Sequence, residues 1–480
     1  MHDPELSRLV SSLLTRDPQL PRPNPTVAFW QEPPHPTVSA VQSAVLPETT
    51  DIAIIGSGIT ACSVAKSLLE NQSIPDLRLT VFEARTLTSG ATGRNGGHLV
   101  SEAVLRFTEL VASVGREKAI DIARFSLANV ARMKEVVESL GEEIREKSQI
   151  RDVVSVMGVA DAGILEAMKE SVEAFEEALP EYKGRYSILG REDAMQKYNF
   201  RDVVGAVEQR GAGALWPYRL ITEIFAHLLK KHSGRFSIET STPVTAISYD
   251  AETQYPYVLT TPRGIVRAAK VIHCTNGFAT HLLPGLSGKI FPLRGTMSTQ
   301  AAGPSFPNLG ATTSWSYCSK GLFDPRTGVL TPGLYYVTQD PRTGDMFVGG
   351  DKQKVDELLV SDDTAVSSVS SESLASVLSK IFQTGWDDDD DGGGGGGNTS
   401  PVVRRMWSGV MGFTGDGMPV VGRLDDSMTK RGGDGEWIAA GFNGYGMDKC
   451  WLTGEAVAGM VVGRDVSSWF PSAYLVDEER

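Results

Sequence analysis

Asp51-Ile-Ala-Ile-Ile-Gly-Ser-Gly58, read on into Ile59-Thr-Ala-Cys-Ser-Val-Ala-Lys-Ser-Leu-Leu69, decides the fold. Ile52, Ile54 and Ile55, bounded by glycine, have the pattern of a buried parallel strand, and the alanine- and leucine-rich stretch after them reads as a helix. Gly56-x-Gly58 falls where the strand must turn sharply into that helix, so that a phosphate can approach bare N–H groups at the positive end of the helix dipole. Ala61 takes the third small position, which close helix–strand packing allows. The second strand, Arg78-Leu-Thr-Val-Phe82, ends at Glu83, near the roughly 20-residue spacing expected of an acid that binds a ribose. Strand, helix, strand and acid in this register point to a dinucleotide.

Composition narrows the class. A chain of 480 residues with 41% hydrophobic content can bury a large core in two or three domains. No stretch approaches the roughly 18 consecutive apolar residues of a membrane span, and the start, MHDPELSRLVSSLL, lacks the basic-then-apolar pattern of a signal peptide. The ending, VDEER, resembles neither an address nor a lipid anchor, so a cytoplasmic protein without a membrane span is expected. The net charge of -13 disfavours nucleic acid as a partner, even though Asp387 to Asp391 alone supplies five of the acidic charges. Cys62, Cys274, Cys318 and Cys450 are far apart, without CxxC or Cys/His clusters, which predicts a reducing compartment and no metal site.

Prolines 18, 21, 23, 25, 33, 34, 36 and 47 make residues 1–50 read as an extended surface arm, with Trp30 available to pin it down. Helical periodicity runs from Glu102 to Glu143, over Ala160–Ala178 and over Arg219–Lys231. Short strands are expected at Val153–Val159, Phe236–Ile238, Val244–Ser248, Tyr257–Thr260, Val271–Cys274, Phe291–Thr299, Gly333–Thr338, Asp345–Val348 and Glu436–Ala440, and a last helix runs through Met460. Gly385 to Asn398 is of low complexity and reads as a disordered surface insertion, whose deletion over 387–397 should leave activity and melting nearly unchanged.

The second βα unit of a nicotinamide enzyme would follow Glu83 directly. Here the glycine-rich loop Thr88-Ser-Gly-Ala-Thr-Gly-Arg-Asn-Gly-Gly-His98 and long helices follow instead, and such a loop can wrap closely around a flat ring. This favours FAD. With that loop, the sequence resembles the D-amino-acid oxidase superfamily of flavoproteins in four stretches: DIAIIGSGITA with Glu83, SGATGRNGG, VIHCTNGF with PVTAI before it, and the pair GFTGDGMPVVG and AAGFNGYGMDKCWLTGEAVA. The branch it most resembles is that of fungal γ-glutamylputrescine-oxidase-like and glycine/sarcosine-oxidase-like proteins.

The resemblance implies an α/β fold, in which a Rossmann-like, discontinuous FAD-binding domain of the glutathione-reductase type is interleaved with a mixed-sheet substrate domain. The FAD-binding parts would be 51–150, 216–288 and 401–480, and the substrate parts 151–215 and 289–400. Gly56, Ser57, Gly58, Ile59 and Thr60 would meet the pyrophosphate; Glu83, Ala84 and Arg85 the adenosine ribose; Val244 the adenine. Thr275, Asn276 and Gly277 would pass beneath the FAD. Ser89, Gly90, Thr92, Gly93, Arg94, Asn95, Gly96 and Gly97, with Gly412, would line the flavin. Asn443, Gly444, Tyr445, Gly446 and Met447 would bring N–H groups and a helix start to its N1–C2=O end, where a hydride arriving at N5 leaves negative charge. Some relatives attach the flavin through a cysteine ahead of the GFTGDG-like stretch or a histidine in the first glycine loop. Here Ser408, Gly409, Val410 and Arg94 stand there, with His98 four residues beyond Arg94, so non-covalent FAD is expected.

The activity implied is oxidation of a C–N bond in a small amine or amino acid, with O2 as acceptor. A dehydrogenase or biosynthetic oxidase using another acceptor, or a flavin scaffold without turnover, are the alternatives. Arg294 could fork onto a substrate carboxylate or serve structurally near the flavin. Tyr335 and Tyr336, adjacent in a strand, must face opposite ways. Trp315, Tyr317 and Trp407 could wall in a cation or simply pack in the core, and His273 reads as a core histidine.

Overall fold

A computed structural model describes residues 4–476 except 304, 351 and 385–401, so the Asp/Gly insertion lies outside the described residues. Among them the strands form an eight-stranded and a nine-stranded sheet, with a small three-stranded sheet beside them.

The first sheet is parallel at its centre. Thr49–Ile55 lies between Leu79–Phe82 and Gly264–His273. Phe236–Glu239 lies beyond the former and Glu436–Ala440 beyond the latter. Antiparallel Val420–Arg423 closes one edge, and the hairpin Ala246–Tyr249/Tyr257–Thr261 joins the first half of Gly264–His273. Ile52 and Ile54 pack into a core shared with helices Ile59–Leu69, Arg116–Leu140, Pro217–Lys231 and Cys450–Val461. Ala53 and Ile55 pack on the other face with Tyr257, Leu259 and Val266. Burial on both faces is why Ile52–Ile55 of this strand is continuously apolar rather than alternating.

The second sheet runs Val403–Thr414, Ile290–Gln300, Met346–Gly349, Leu334–Gln339, Thr313–Cys318, Arg151–Val159, Gly205–Ala214 and His98–Leu99, with Tyr186–Gly190 as its ninth strand beside the first half of Gly205–Ala214. It is mixed, because Thr313–Cys318 pairs parallel with Arg151–Val159 while its other neighbours are antiparallel. One face buries Trp315, Val337, Phe200 and Phe382 under helix Ser368–Ile381. The other face looks toward the loop that leaves the first sheet.

Three elements differ from the expectations. Pro4–Leu14 is a helix rather than extended chain. The prolines cluster beyond it, Pro4 sits in its first turn where proline is tolerated, and Leu6, Val10, Leu13 and Leu14 share one face. Val403–Thr414 pairs with Ile290–Gln300 along its length and so belongs to the second sheet, and the return to the first sheet comes after Thr414 rather than at 401. Gly205–Ala214, rich in glycine and alanine, is a strand that no alternation announced.

Candidate active site

The turn out of the first strand is pressed against the neighbouring strand's end. At Gly56, with φ +104°, an added Cβ would lie 2.5 Å from the Cys274 carbonyl oxygen, so only glycine fits. Gly58 then caps the helix Ile59–Leu69 without any side-chain bond. Ser57 Oγ donates to Glu83 Oε2 at 2.6 Å and the Arg85 N–H to Glu83 Oε1 at 2.8 Å. The acid expected at the ribose therefore stands beside the glycine turn, with Thr60 buried in the helix's first turn and Ala84 half-buried behind it. Val244 is buried just ahead of the strand Ala246–Tyr249, among Phe82 and Leu259. Thr275, Asn276 and Gly277 follow the third central strand, and Asn276 Oδ1 accepts the Gly441 N–H at 3.0 Å. An added Cβ on Gly412 would fall 2.4 Å from that same oxygen.

The loop Ser89–Gly97 bridges the two sheets and is held at several points. Its entry is tied to Ser57 by the Thr88 N–H at 2.8 Å, and the Ile59 N–H donates to Thr92 Oγ1 at 3.0 Å. Arg94 is buried: Nε donates to the Ser89 carbonyl, and Nη1 to the carbonyls of Thr26 and Ser408, each at 2.8 Å. Asp363 pairs with Arg85 at 2.9 Å and lies 3.7 Å from Arg94. Burial drives the Arg94 pKa down to about 10, a fall opposed by Asp363 and reinforced by Arg85. Arg94 thus grips the outer edge of Val403–Thr414. Trp30 of the N-terminal arm donates to the Asn95 carbonyl and Gln31 to the Gly93 carbonyl, which fastens the loop from outside. Gly97 N–H is taken by Asn95 Oδ1 at 2.9 Å, while Gly90 has no neighbour within 4 Å of an added Cβ.

Strand alternation sorts the residues of the second sheet. Gly409 faces the Arg94 side chain, and Trp407, two residues earlier, donates Nε1 to the Arg94 carbonyl at 2.9 Å. Arg294 is paired with Val410, so its side chain turns to the opposite face, where Nη1 donates to the Asp362 carbonyl at 3.2 Å. Arg294 therefore faces away from the loop. Tyr336 packs its ring against Gly96, whose added Cβ would be 2.7 Å away. Tyr335 points to the other face and bonds Ser373 Oγ at 2.8 Å. Trp315 and Tyr317 pack on that far face too, so they build no common wall with Trp407. His273 is fully buried with Nε2 2.7 Å from Glu436, as a core histidine. His98 stacks edge-on against Tyr336. Its Nε2 is buried without a partner, and burial, then Arg151, pushes its pKa down to about 4.

The last piece is the loop Asn443–Met447. Asn443, at φ +54°, accepts the Thr414 N–H at 2.9 Å through Oδ1. The N–H groups of Gly444, Gly446 and Met447 meet no protein acceptor among the described residues. Met411 Sδ and the Phe413 ring lie beside Gly444. Free N–H groups at this turn, shortly before the helix Cys450–Val461, form a nest for an anion or carbonyl. Among the described residues no cluster of His, Cys, Asp and Glu is placed to hold a metal, and no helix is long and apolar enough to cross a membrane.

The profile of the DAO family, FAD dependent oxidoreductases, matches residues 51–460. The chain belongs to this family. No curated protein matches the sequence. Solved structures of DAO-like fold resemble it at low identity. A glycine oxidase from Geobacillus kaustophilus is 18% identical over 89% of this chain and 99% of its own, with TM-score 0.63. For an L-proline dehydrogenase from P. horikoshii the figures are 20%, 89%, 98% and 0.63. For NikD, an unusual amino acid oxidase essential for nikkomycin biosynthesis, they are 17%, 90%, 100% and 0.60. These likenesses establish the α/β fold with its mixed sheets.

The flavin cofactor of the DAO family fits the residues present. Buried hydroxyls of Ser89 and Thr275 have no partner, Gly58 brings no capping side chain to the start of its helix, and the N–H groups of Gly444, Gly446 and Met447 are free. Gly56–Ile59 with Ser89 suit a pyrophosphate, and Glu83 suits ribose hydroxyls. Several residues that hold this site were not read from the sequence. Thr26 and Asp363 had no local signal. Lys449, a charge at the start of an apolar helix, did.

Proposed function

We propose that this DAO-family enzyme oxidises a C–N bond of a small amine or amino acid by hydride transfer to N5 of non-covalently held FAD, with O2 as acceptor. The branch we favour is the γ-glutamylputrescine-oxidase-like one. The observation that carries the reading is the meeting of three features: the nucleotide turn with Glu83, the clamped loop Ser89–Gly97, and the free N–H nest at Gly444–Met447. FAD, when bound, supplies the two-electron acceptor for the hydrogen leaving the carbon next to nitrogen. Gly56–Thr60, with Ala84 and Arg85 beside Glu83, would hold its nucleotide half, and Val244 its adenine. Thr275–Gly277, Gly412 and residues Ser89–Gly97 would hold the ring. Fixed N–H donors at Gly444, Gly446 and Met447 would stabilise charge gathering at its carbonyl end, at no reorganisation cost. Tyr336 and neutral His98 line the side where a substrate would approach, and an imidazole kept unprotonated can accept a hydrogen bond from an amine. Ser408, Gly409, Val410 and Arg94 offer neither a thiol nor an imidazole for a covalent link, and the four unpaired cysteines agree with a cytoplasmic setting.

The test is anaerobic mixing of the FAD-loaded protein with a panel of amines and amino acids. Bleaching of the yellow colour by one of them, with fast recovery and peroxide release on admitting air, is the expected result. Bleaching with slow recovery would replace the oxidase by a dehydrogenase. A protein that stays yellow with every compound overturns catalysis in favour of a scaffold.

A further inference from the structure

A buried ionic cluster lies directly behind the N–H nest. Lys449 is 6% exposed, and its Nζ donates to Asp448 Oδ1 at 2.8 Å, to Glu102 Oε1 at 3.3 Å and to the Tyr445 carbonyl at 3.2 Å. Asp448 also accepts Ser126 Oγ from helix Arg116–Leu140 at 2.6 Å, and Asn129 of that helix donates to the Met447 carbonyl. The other groups around the cluster are Arg106, 3.7 Å from Glu102, the buried Cys450 thiol, and the tyrosines 445, 474 and 186, of which the last two have hydroxyls without partners. Burial works against the Lys449 charge, but Asp448 and Glu102 outweigh it and raise its pKa. Burial raises the pKa of Glu102 despite Lys449, and Glu102 Oε2 has no hydrogen bond.

The Tyr445 carbonyl that the ammonium grips and the free Gly446 N–H belong to one peptide unit. A cation on the oxygen withdraws electrons through the amide and strengthens the N–H as a donor, an effect magnified where water is absent. We propose that Lys449 is a positioning residue that polarises the Tyr445–Gly446 peptide and thereby raises the electron affinity of the flavin at the nest, and that an ionised Glu102 offsets it. The inference rests on the placement of FAD proposed above.

Midpoint potential and sulfite affinity of the bound flavin test it, measured on the FAD-loaded full chain. Lys449→Met should weaken sulfite binding about tenfold and lower the potential by about 30 mV, the equivalent for a two-electron couple. Lys449→Arg should restore most of both. Glu102→Gln should shift both the opposite way, and only above the pH at which Glu102 ionises, because below it the wild-type group is already neutral. Unchanged potential and sulfite affinity in FAD-loaded Lys449→Met overturns the proposal. Should that variant not fold, a Glu102→Gln protein without the pH-dependent rise overturns it instead. Failure of the wild type itself to take up FAD would sink the placement of the cofactor, a result separate from either.

Discussion

Glu436 carries the clearest electrostatic consequence at a single residue. Burial would raise its pKa, but hydrogen bonds from His273 and Arg431 win and bring it down to about 2. A carboxylate depressed on folding contributes stability that is fully present above its unfolded value of 4.5 and vanishes as pH falls through about 2. Wild type should therefore melt higher than Glu436→Gln at neutral pH, by on the order of 3 kcal/mol, and the gap should close between those two values. A gap independent of pH would refute the assignment. At Glu83 the expected effect is on cofactor rather than fold. Glu83→Ala leaves Ser57 Oγ and the Arg85 N–H without their acceptor and should weaken FAD binding by at least about tenfold, some 1.4 kcal/mol, in a fluorescence titration. A mutant that purifies fully yellow counts against the ribose contact. Both Gly56 and Glu83 were legible in the sequence because strand, turn and acid lie within one short βαβ unit. The face that Arg294 presents was not, since it depends on pairing with Val410 more than a hundred residues away.

Elements that are local in sequence were read well, and those defined by distant partners were not. Glu436–Ala440 and Phe236–Glu239 carry their own β-branched or aromatic pattern. Gly205–Ala214 is a strand because Arg151–Val159 and Tyr186–Gly190 flank it, and its composition says nothing of that. The same holds for the N-terminal arm, whose prolines hide how deeply it is built in. Trp30 stacks on Phe347 with ring centroids 4.0 Å apart, meets Trp216 at 5.1 Å, and bonds the Asn95 carbonyl. Thr26 Oγ1 accepts the Ser408 N–H at 2.9 Å and so covers the exposed edge of Val403–Thr414, which would otherwise invite pairing with another chain. Trp30→Ala should lose about 3–5 kcal/mol of stability and release FAD faster, whereas deletion of residues 1–14, whose helix buries one narrow face, should cost much less. Equal losses from the two changes, measured by denaturant midpoint and FAD release, would show that the arm acts as one unit rather than through its aromatic anchor.

The chain passes repeatedly between its two sheets, and this interleaving governs the molecule as a whole. Ile290–Gln300 and Val403–Thr414 lie in the second sheet between segments of the first, and the loop Ser89–Gly97 and the nest Asn443–Met447 both leave the first sheet to touch the second. Neither sheet can be completed without chain from both ends of the sequence. Unfolding of one must strip strands and clamps from the other, so a single cooperative transition is expected despite the size of the protein. Since FAD would touch both sheets and bind only the native arrangement, its free energy should stabilise the whole: about 2.7 kcal/mol at one hundred times its dissociation constant. Calorimetry on apo and FAD-loaded protein reads this directly. One transition in each, moved upward by FAD in proportion to the logarithm of its concentration, is the expected record. Two transitions of which only one responds would mean that the sheets unfold independently and that the cofactor is held by the first alone, in which case the clamps at Arg94 and Asn443 do not couple them.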